Sequence, residues 1–177
     1  MGTRRIIRQG DVADATPDVL IFSTNEHLFL SGGAGASLLG VHGDPLQRAR
    51  QRALAASGAK VALRGSVFEI GPAETWPFRI FAVVAANGFY ETSKDDTREA
   101  LEGILRRCGE LPEVKRVVTT ALGTGYGNME IEDFVEIFCS LSLPESLDEF
   151  ELMIHGEVFF RYACAKNQEL GDPAEVF

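Results

Sequence analysis

Twice in this chain an apolar strand runs into a glycine-rich loop that opens onto a helix, and this repeated unit limits the possible folds more than any other feature. The first copy starts with Val19-Leu20-Ile21-Phe22, a short apolar run with Asp18 in front, as expected of a buried strand. It continues through Asn25 to Gly43, NEHLFLSGGAGASLLGVHG, where Ala36 to Leu39 has a helical pattern. The second copy starts with Val117-Val118-Thr119-Thr120, passes through Ala121 to Met129, ALGTGYGNM, and becomes helical from about Glu130. Gly32, Gly33 and Gly35 in the first loop are expected to allow positive φ and a close backbone approach to a ligand. The helix that follows adds its free N–H groups and the positive end of its dipole, an arrangement suited to phosphate. Neither loop contains lysine or arginine, so an anion there would be held by neutral dipoles. Neither matches GxxxxGK[ST] or GxGxxG. One such loop alone is as readily a tight turn between strand and helix. Two of them at strand ends point to a diphosphate cradle.

The rest of the chain fills in an α/β pattern. Arg5 to Arg8, Gly65 to Gly71, Arg79 to Ala85 and Phe150 to Ile154 read as further strands, giving about six in all. The continuously apolar Ile80 to Ala85 signals a strand covered on both faces. Asp44 and Pro45 start a helix that stops at Gly58. Amphipathic helices are expected over Ser93 to Arg107 and over Gly156 to Asn167, the latter with Val158, Phe159, Tyr162 and Ala163 inward. Ala86-Asn87-Gly88-Phe89-Tyr90 is a third loop that could border a site. The pattern predicts a three-layer α/β/α sandwich around a mixed central sheet, with ligands beyond the carboxyl ends of the strands. Residues 1–170 are expected to form one domain and residues 171–177 a short, loosely attached tail.

Charge narrows the partners. With 26 acidic against 17 basic residues the net charge is −9, so nucleic acid would be repelled by the average field. Arginines 4, 5, 8, 48, 50 and 52 could make a small basic patch or simply solvate helix surfaces. Cys108, Cys139 and Cys164 fall on or near apolar helix stripes without a CxxC pair, and are read as reduced core thiols of a cytoplasmic protein. His27, His42 and His155 show no metal-ligand spacing with them, and neither a metal nor a cofactor is expected. No apolar run approaches the length of a membrane span, so no membrane partner is expected.

The sequence resembles the macro domain family, whose members bind ADP-ribose and some of which hydrolyse it from proteins or small molecules. The likeness runs from about Arg4 to Asn167. It is carried by Gly10-Asp11-Val12, by the strand ending in Asn25, by Ser31-Gly32-Gly33-Ala34-Gly35 and by Leu122-Gly123-Thr124-Gly125-Tyr126-Gly127. The resemblance implies that Asp11 accepts from the adenine amino group with the Val12 amide nearby, and that Asn25 bonds the distal ribose. It implies that Ser31, Gly32, Gly33, Ala34 and Gly35 wrap one side of the diphosphate. Gly123, Thr124, Gly125, Tyr126 and Gly127 would close the other, with Ile154 and His155 beside the adenine.

The departures from the family bear on catalysis. The family's Asn-Ala-Ala-Asn is Phe22-Ser23-Thr24-Asn25 here, and Met129 stands where many members have proline. Many hydrolytic members carry an Asp where this chain has Gly35, and no carboxylate lies in either loop, although Glu26 and Asp44 flank the first and Glu130 follows the second. The expectation is therefore binding of ADP-ribose or a related NAD-derived nucleotide, as part of NAD metabolism, without efficient catalysis. The alternative is a hydrolase acting on ADP-ribosylated substrate with Asn25 as its catalytic residue and a phosphate-positioned water. A partner-binding domain with a decayed pocket is disfavoured by the intact glycines.

Overall fold

The computed structural model describes residues 2–177. Its strands are β1 (Arg4–Gln9), β2 (Val19–Thr24), β3 (Val67–Ile70), β4 (Arg79–Val84), β5 (Arg116–Thr119), β6 (Glu149–Ile154) and β7 (Glu175–Val176). Its helices are α1 (Gly32–Ala56), α2 (Lys94–Gly109), α3 (Ile131–Ser140) and α4 (Glu157–Glu169), with a 3-10 turn at Val12–Asp14. The strands form one seven-stranded sheet in the order β3-β4-β2-β5-β6-β1-β7. Only β3 against β4 is antiparallel, so the sheet is mixed as expected.

Alternation along the strands divides the core in two. Val19, Ile21, Phe81, Val83, Val117, Phe150 and Leu152 face α2, α3 and α4. Leu20, Phe22, Ile80, Ala82 and Val118 face Leu38 and Leu46 of α1. Farther along this second face the strands carry an ion-pair lattice. There Glu151, fully buried, is held at 2.7 Å by both Arg8 and Arg116. The cysteines lie in α2, α3 and α4, and burial pushes the Cys108 thiol up to about 12 and the Cys139 thiol up to about 11.

Four features differ from the expectation. The sheet gains a seventh strand because the tail from Gly171 is not loose. Asn167, fully buried, donates to the Ala174 carbonyl at 3.0 Å and accepts from its amide at 3.1 Å, which aligns Glu175–Val176 beside β1. Phe177 then donates to the Ile7 carbonyl, accepts from Gln9, and lies under the Arg8 guanidinium. On α4, Val158, Phe159 and Tyr162 are exposed rather than inward. The buried stripe runs instead through Ala163 and Asn167, with Phe160 packed beside it, because a small residue lets the helix approach and the Asn must reach the tail. The two helices expected around Gly43 join into α1 across a kink at Gly43 itself (φ 63°, ψ −161°), with Pro45 in the first turn beyond it. The arginines do not all form a surface patch, since Arg50 is fully buried.

Candidate functional site

The carboxyl ends of β1, β6, β5, β2 and β4 meet a cavity of about 750 Å³. From β1 to β4 is four strand spacings of about 4.8 Å, so the cleft floor spans about 19 Å. Asp11, Val12, Asn25, Ser31, Gly32, Gly33, Ala34, Gly35, Gly123, Thr124, Gly125, Tyr126, Gly127 and Ile154 all line it, and so does His155. The sheet order explains why positions so far apart in sequence meet. Both glycine loops leave the middle of the sheet, after β2 and β5, while Asp11 follows β1 and Ile154 ends β6 at one side. The lining also includes Glu26, His27, Asn87, Gly88 and Tyr90 at the β2–β4 side.

The first glycine loop is shorter than expected, because helix α1 begins at Gly32. Gly33 and Gly35 are consequently helical, and Gly32 alone there takes the left-handed conformation, at φ 70°. The Ser31 side chain does not cap the helix; its hydroxyl accepts from Asn25 Nδ2 at 3.1 Å. The amides of the first turn of α1 therefore remain available to an anion in the cleft.

In the second loop Gly123 is left-handed, at φ 76°, and Thr124 donates its hydroxyl back to the Ala121 carbonyl at 2.9 Å. Among the described residues, no protein acceptor takes the amides of Gly125, Tyr126 and Gly127. The two loops touch where the Tyr126 ring lies against Gly32: a Cβ there would come within 2.2 Å of the ring. A Cβ on Gly127 would come equally close to the Gly123 carbonyl oxygen. Gly33 and Gly125 instead have open space where a side chain would project.

Two expected side chains have structural duties. Asp11 Oδ1 accepts from the Ala13 amide and Oδ2 from the Ser37 hydroxyl, each at 2.9 Å, so Asp11 caps the 3-10 turn and ties it to α1. Asn25 does not present a free amide to the cleft. Its Oδ1 accepts from the amides of His27 and Phe29, and its Nδ2 donates to the Phe29 carbonyl and to Ser31. That fills the hydrogen-bonding capacity of an amide. Asn25 thus folds the 25–31 loop, in a conformation that needs a positive φ at the buried Leu28.

The same loop is held from behind by the second half of α1. Gln47 bonds the Leu28 carbonyl and the Leu30 amide, and Gln51 donates to the His27 carbonyl. Arg50 donates to the Thr24 hydroxyl and stacks on Phe22, while its Nε and Nη1 find no partner. Sequence reading missed these supports because nothing in a helical pattern distinguishes a latch from a solvated face. It left Glu26 and His27 unplaced because both lie ahead of the glycines.

No family model matches the sequence, and no curated protein matches it. Solved structures do. The Oceanobacillus iheyensis macrodomain with ADP superposes with a TM-score of 0.72 at 19% identity, covering 92% of this chain and 89% of that one. The Trypanosoma brucei macrodomain in complex with ADP-ribose gives 0.70 at 16%, covering 90% and 68%. The macro domain of ganglioside induced differentiation associated protein 2 gives 0.72 at 13%, covering 94% and 82%. The chain has the macrodomain fold.

Proposed function

We propose that the cleft binds ADP-ribose or a related NAD-derived nucleotide, free or attached to a protein. The observation that carries this reading is the pairing of two sets of unspent backbone amides, from α1 and from Gly125 to Gly127, at the middle of a cleft about 19 Å long. A diphosphate suits that middle, and an elongated ligand with a polar group at each end suits the whole. Asp11, Val12 and Ile154 would take the adenine, and the β2–β4 end would take the terminal ribose. Two of the solved macrodomains were crystallised with ADP or ADP-ribose, which agrees with this assignment. The glycine loops carry no acid or base, so on their own they hold the ligand without efficient catalysis. Net charge −9 argues against a nucleic-acid partner, and free cysteines fit a cytoplasmic setting. Among the described residues no helix is long and apolar enough to cross a membrane.

Calorimetry with ADP-ribose, ADP and AMP tests the reading. AMP reaches only one side of the cradle, and losing hydrogen bonds to a charged group costs about 1.5–3 kcal/mol. AMP should therefore bind at least about tenfold more weakly than ADP-ribose. Equal affinities would count decisively against a diphosphate site.

A further inference from the structure

One segment of the cleft rim carries order and strain that the core does not use. The loop 86–92, between β4 and α2, displays Phe89 and Tyr90, and Phe89 is 85% exposed, the most of any large apolar side chain among the described residues. The loop is tightly built. Asn87 Oδ1 accepts from the amides of Phe89 and Glu91, and Nδ2 donates to the Glu91 carboxylate at 2.8 Å. Thr92 donates both its amide and its hydroxyl to Asn128 Oδ1, which ties the loop to the second glycine loop. Tyr90 holds a φ of 63°, a conformation that costs an aromatic residue free energy. None of this secures core packing, because Tyr90 is itself exposed and its ring neighbour, 6.4 Å away, is the equally exposed Tyr126.

Two carboxylates flank the displayed rings. Glu26 lies against Gly88, where an added Cβ would come within 3.2 Å of Oε1, and Glu91 is held by Asn87. Among the described residues neither is paired with a lysine or arginine; His27 Nε2 lies 3.6 Å from Glu26, and Lys94, three residues beyond Glu91, is committed to Asp133 at 2.5 Å. Aromatic faces beside unpaired carboxylates attract cations, and a guanidinium suits both. Nucleic acid, which also stacks on exposed rings, would be repelled by the same carboxylates.

We infer that the 86–92 loop is a docking surface for a basic segment of the polypeptide that carries the nucleotide. Lysine or arginine side chains of that segment lie over Phe89 and Tyr90 and against Glu26 and Glu91. The inference rests on the ligand orientation proposed above, in which the terminal ribose occupies the β2–β4 end, so that a chain attached through this ribose leaves the cleft beside the loop. Phe89 lies outside the cleft lining, and can touch the attached chain without touching the nucleotide. The cleft then recognises the nucleotide, and the loop discriminates among the proteins that bear it.

Calorimetry tests this with free ADP-ribose and two peptides bearing ADP-ribose, through its terminal ribose, on a serine. One peptide flanks the serine with arginine and lysine, the other with aspartate and glutamate. The basic conjugate should bind at least about fivefold more tightly than free ADP-ribose, and the acidic one no more tightly. That gain should shrink between about 0.01 M and about 0.15 M salt, as exposed charge contacts do. Phe89→Ser should fold, keep its affinity for free ADP-ribose and lose most of the gain, while Phe89→Trp should keep it. Equal affinity for all three ligands, an equal gain with the acidic conjugate, or a gain that survives Phe89→Ser overturns the docking surface and leaves the nucleotide reading standing. A larger gain for ADP-ribose carried on a single-stranded oligonucleotide overturns it in favour of nucleic acid. Failure to bind free ADP-ribose at all overturns both.

Discussion

The glycines of the cleft have two different duties, which the geometry around each one separates. Gly32, Gly123 and Gly127 are required by the protein itself. An added Cβ would strike Tyr126 at Gly32, Thr92 at Gly123, and both Thr92 and the Gly123 carbonyl at Gly127. Gly33 and Gly125 meet nothing, and neither has a left-handed φ, yet both line the cleft. Gly33→Val and Gly125→Val should therefore fold with nearly unchanged melting temperature while filling ligand space and abolishing ADP-ribose binding. Gly127→Val should lose stability whether or not ligand is present. Thermal melts with and without ADP-ribose check this, and a folded Gly125→Val variant of full affinity would place the ligand elsewhere. A count of glycines could not have sorted them this way, because the distinction depends on which neighbour each one faces in the folded loops.

Helix α1 does two jobs on either side of its kink. Its first turn faces the cleft, and its second half presents Gln47, Arg50, Gln51 and Leu54 at helical spacing to the 25–31 loop and its surroundings. The sequence pattern located the helix and its apolar positions Leu46, Ala49, Ala53 and Ala56, of which the first three are at least partly buried and Ala56 is exposed. It could not show that the adjacent polar face is enclosed, since glutamine and arginine ordinarily mark solvent. For the same reason the buried stripe of α4 was misplaced: its key member is a polar residue, Asn167.

Arg50 is the costly member of the latch. Burial depresses its pKa well below the ordinary guanidinium range, to about 9, with two of its nitrogens unpartnered among the described residues. Replacing a buried charge with an apolar side chain of similar length is often neutral or stabilising by about 1–4 kcal/mol. Arg50→Met, which retains the packing on Phe22, is accordingly expected to be at least as stable as the parent in urea denaturation. The unfolded chain holds its proton to higher pH than the folded one, so the penalty is complete below about pH 9 and is relieved as pH rises above it toward the ordinary guanidinium range. The difference between the two proteins should narrow over that interval. A strongly destabilised Arg50→Met variant would show instead that the Thr24 contact is indispensable.

The molecule as a whole presents an acidic field to an anionic ligand, and among the described residues no lysine or arginine lines the cleft. On the proposed reading, binding depends on dipoles that act only at contact. Raising the ionic strength from about 0.01 M to about 0.15 M, which shortens the Debye length from about 30 to about 8 Å, should leave ADP-ribose affinity unchanged or slightly improved. A steep loss with salt, as a basic nucleotide site would show, would refute a neutral cradle. The strand–loop–helix units, the α/β class and the meeting of the two loops were all legible in the sequence because each rests on local pattern. The seventh strand was not, because Glu175–Val176 carries little strand signal of its own and owes its place to Asn167.

The neighbours of β1 have a consequence for how the chain matures as it is made. Among the described residues, the first strand pairs only with β6 and β7. While a ribosome is still adding the intervening residues, Ile6 and Ile7 have no sheet to enter and Asp11 has no cleft wall to join. Contacts between such distant positions fold slowly and leave apolar segments open to aggregation in the meantime. The cleft, walled by residues from Gly10 to Phe159, would come into being only once Phe159 has been added, so a chain interrupted before that point would have no complete cleft.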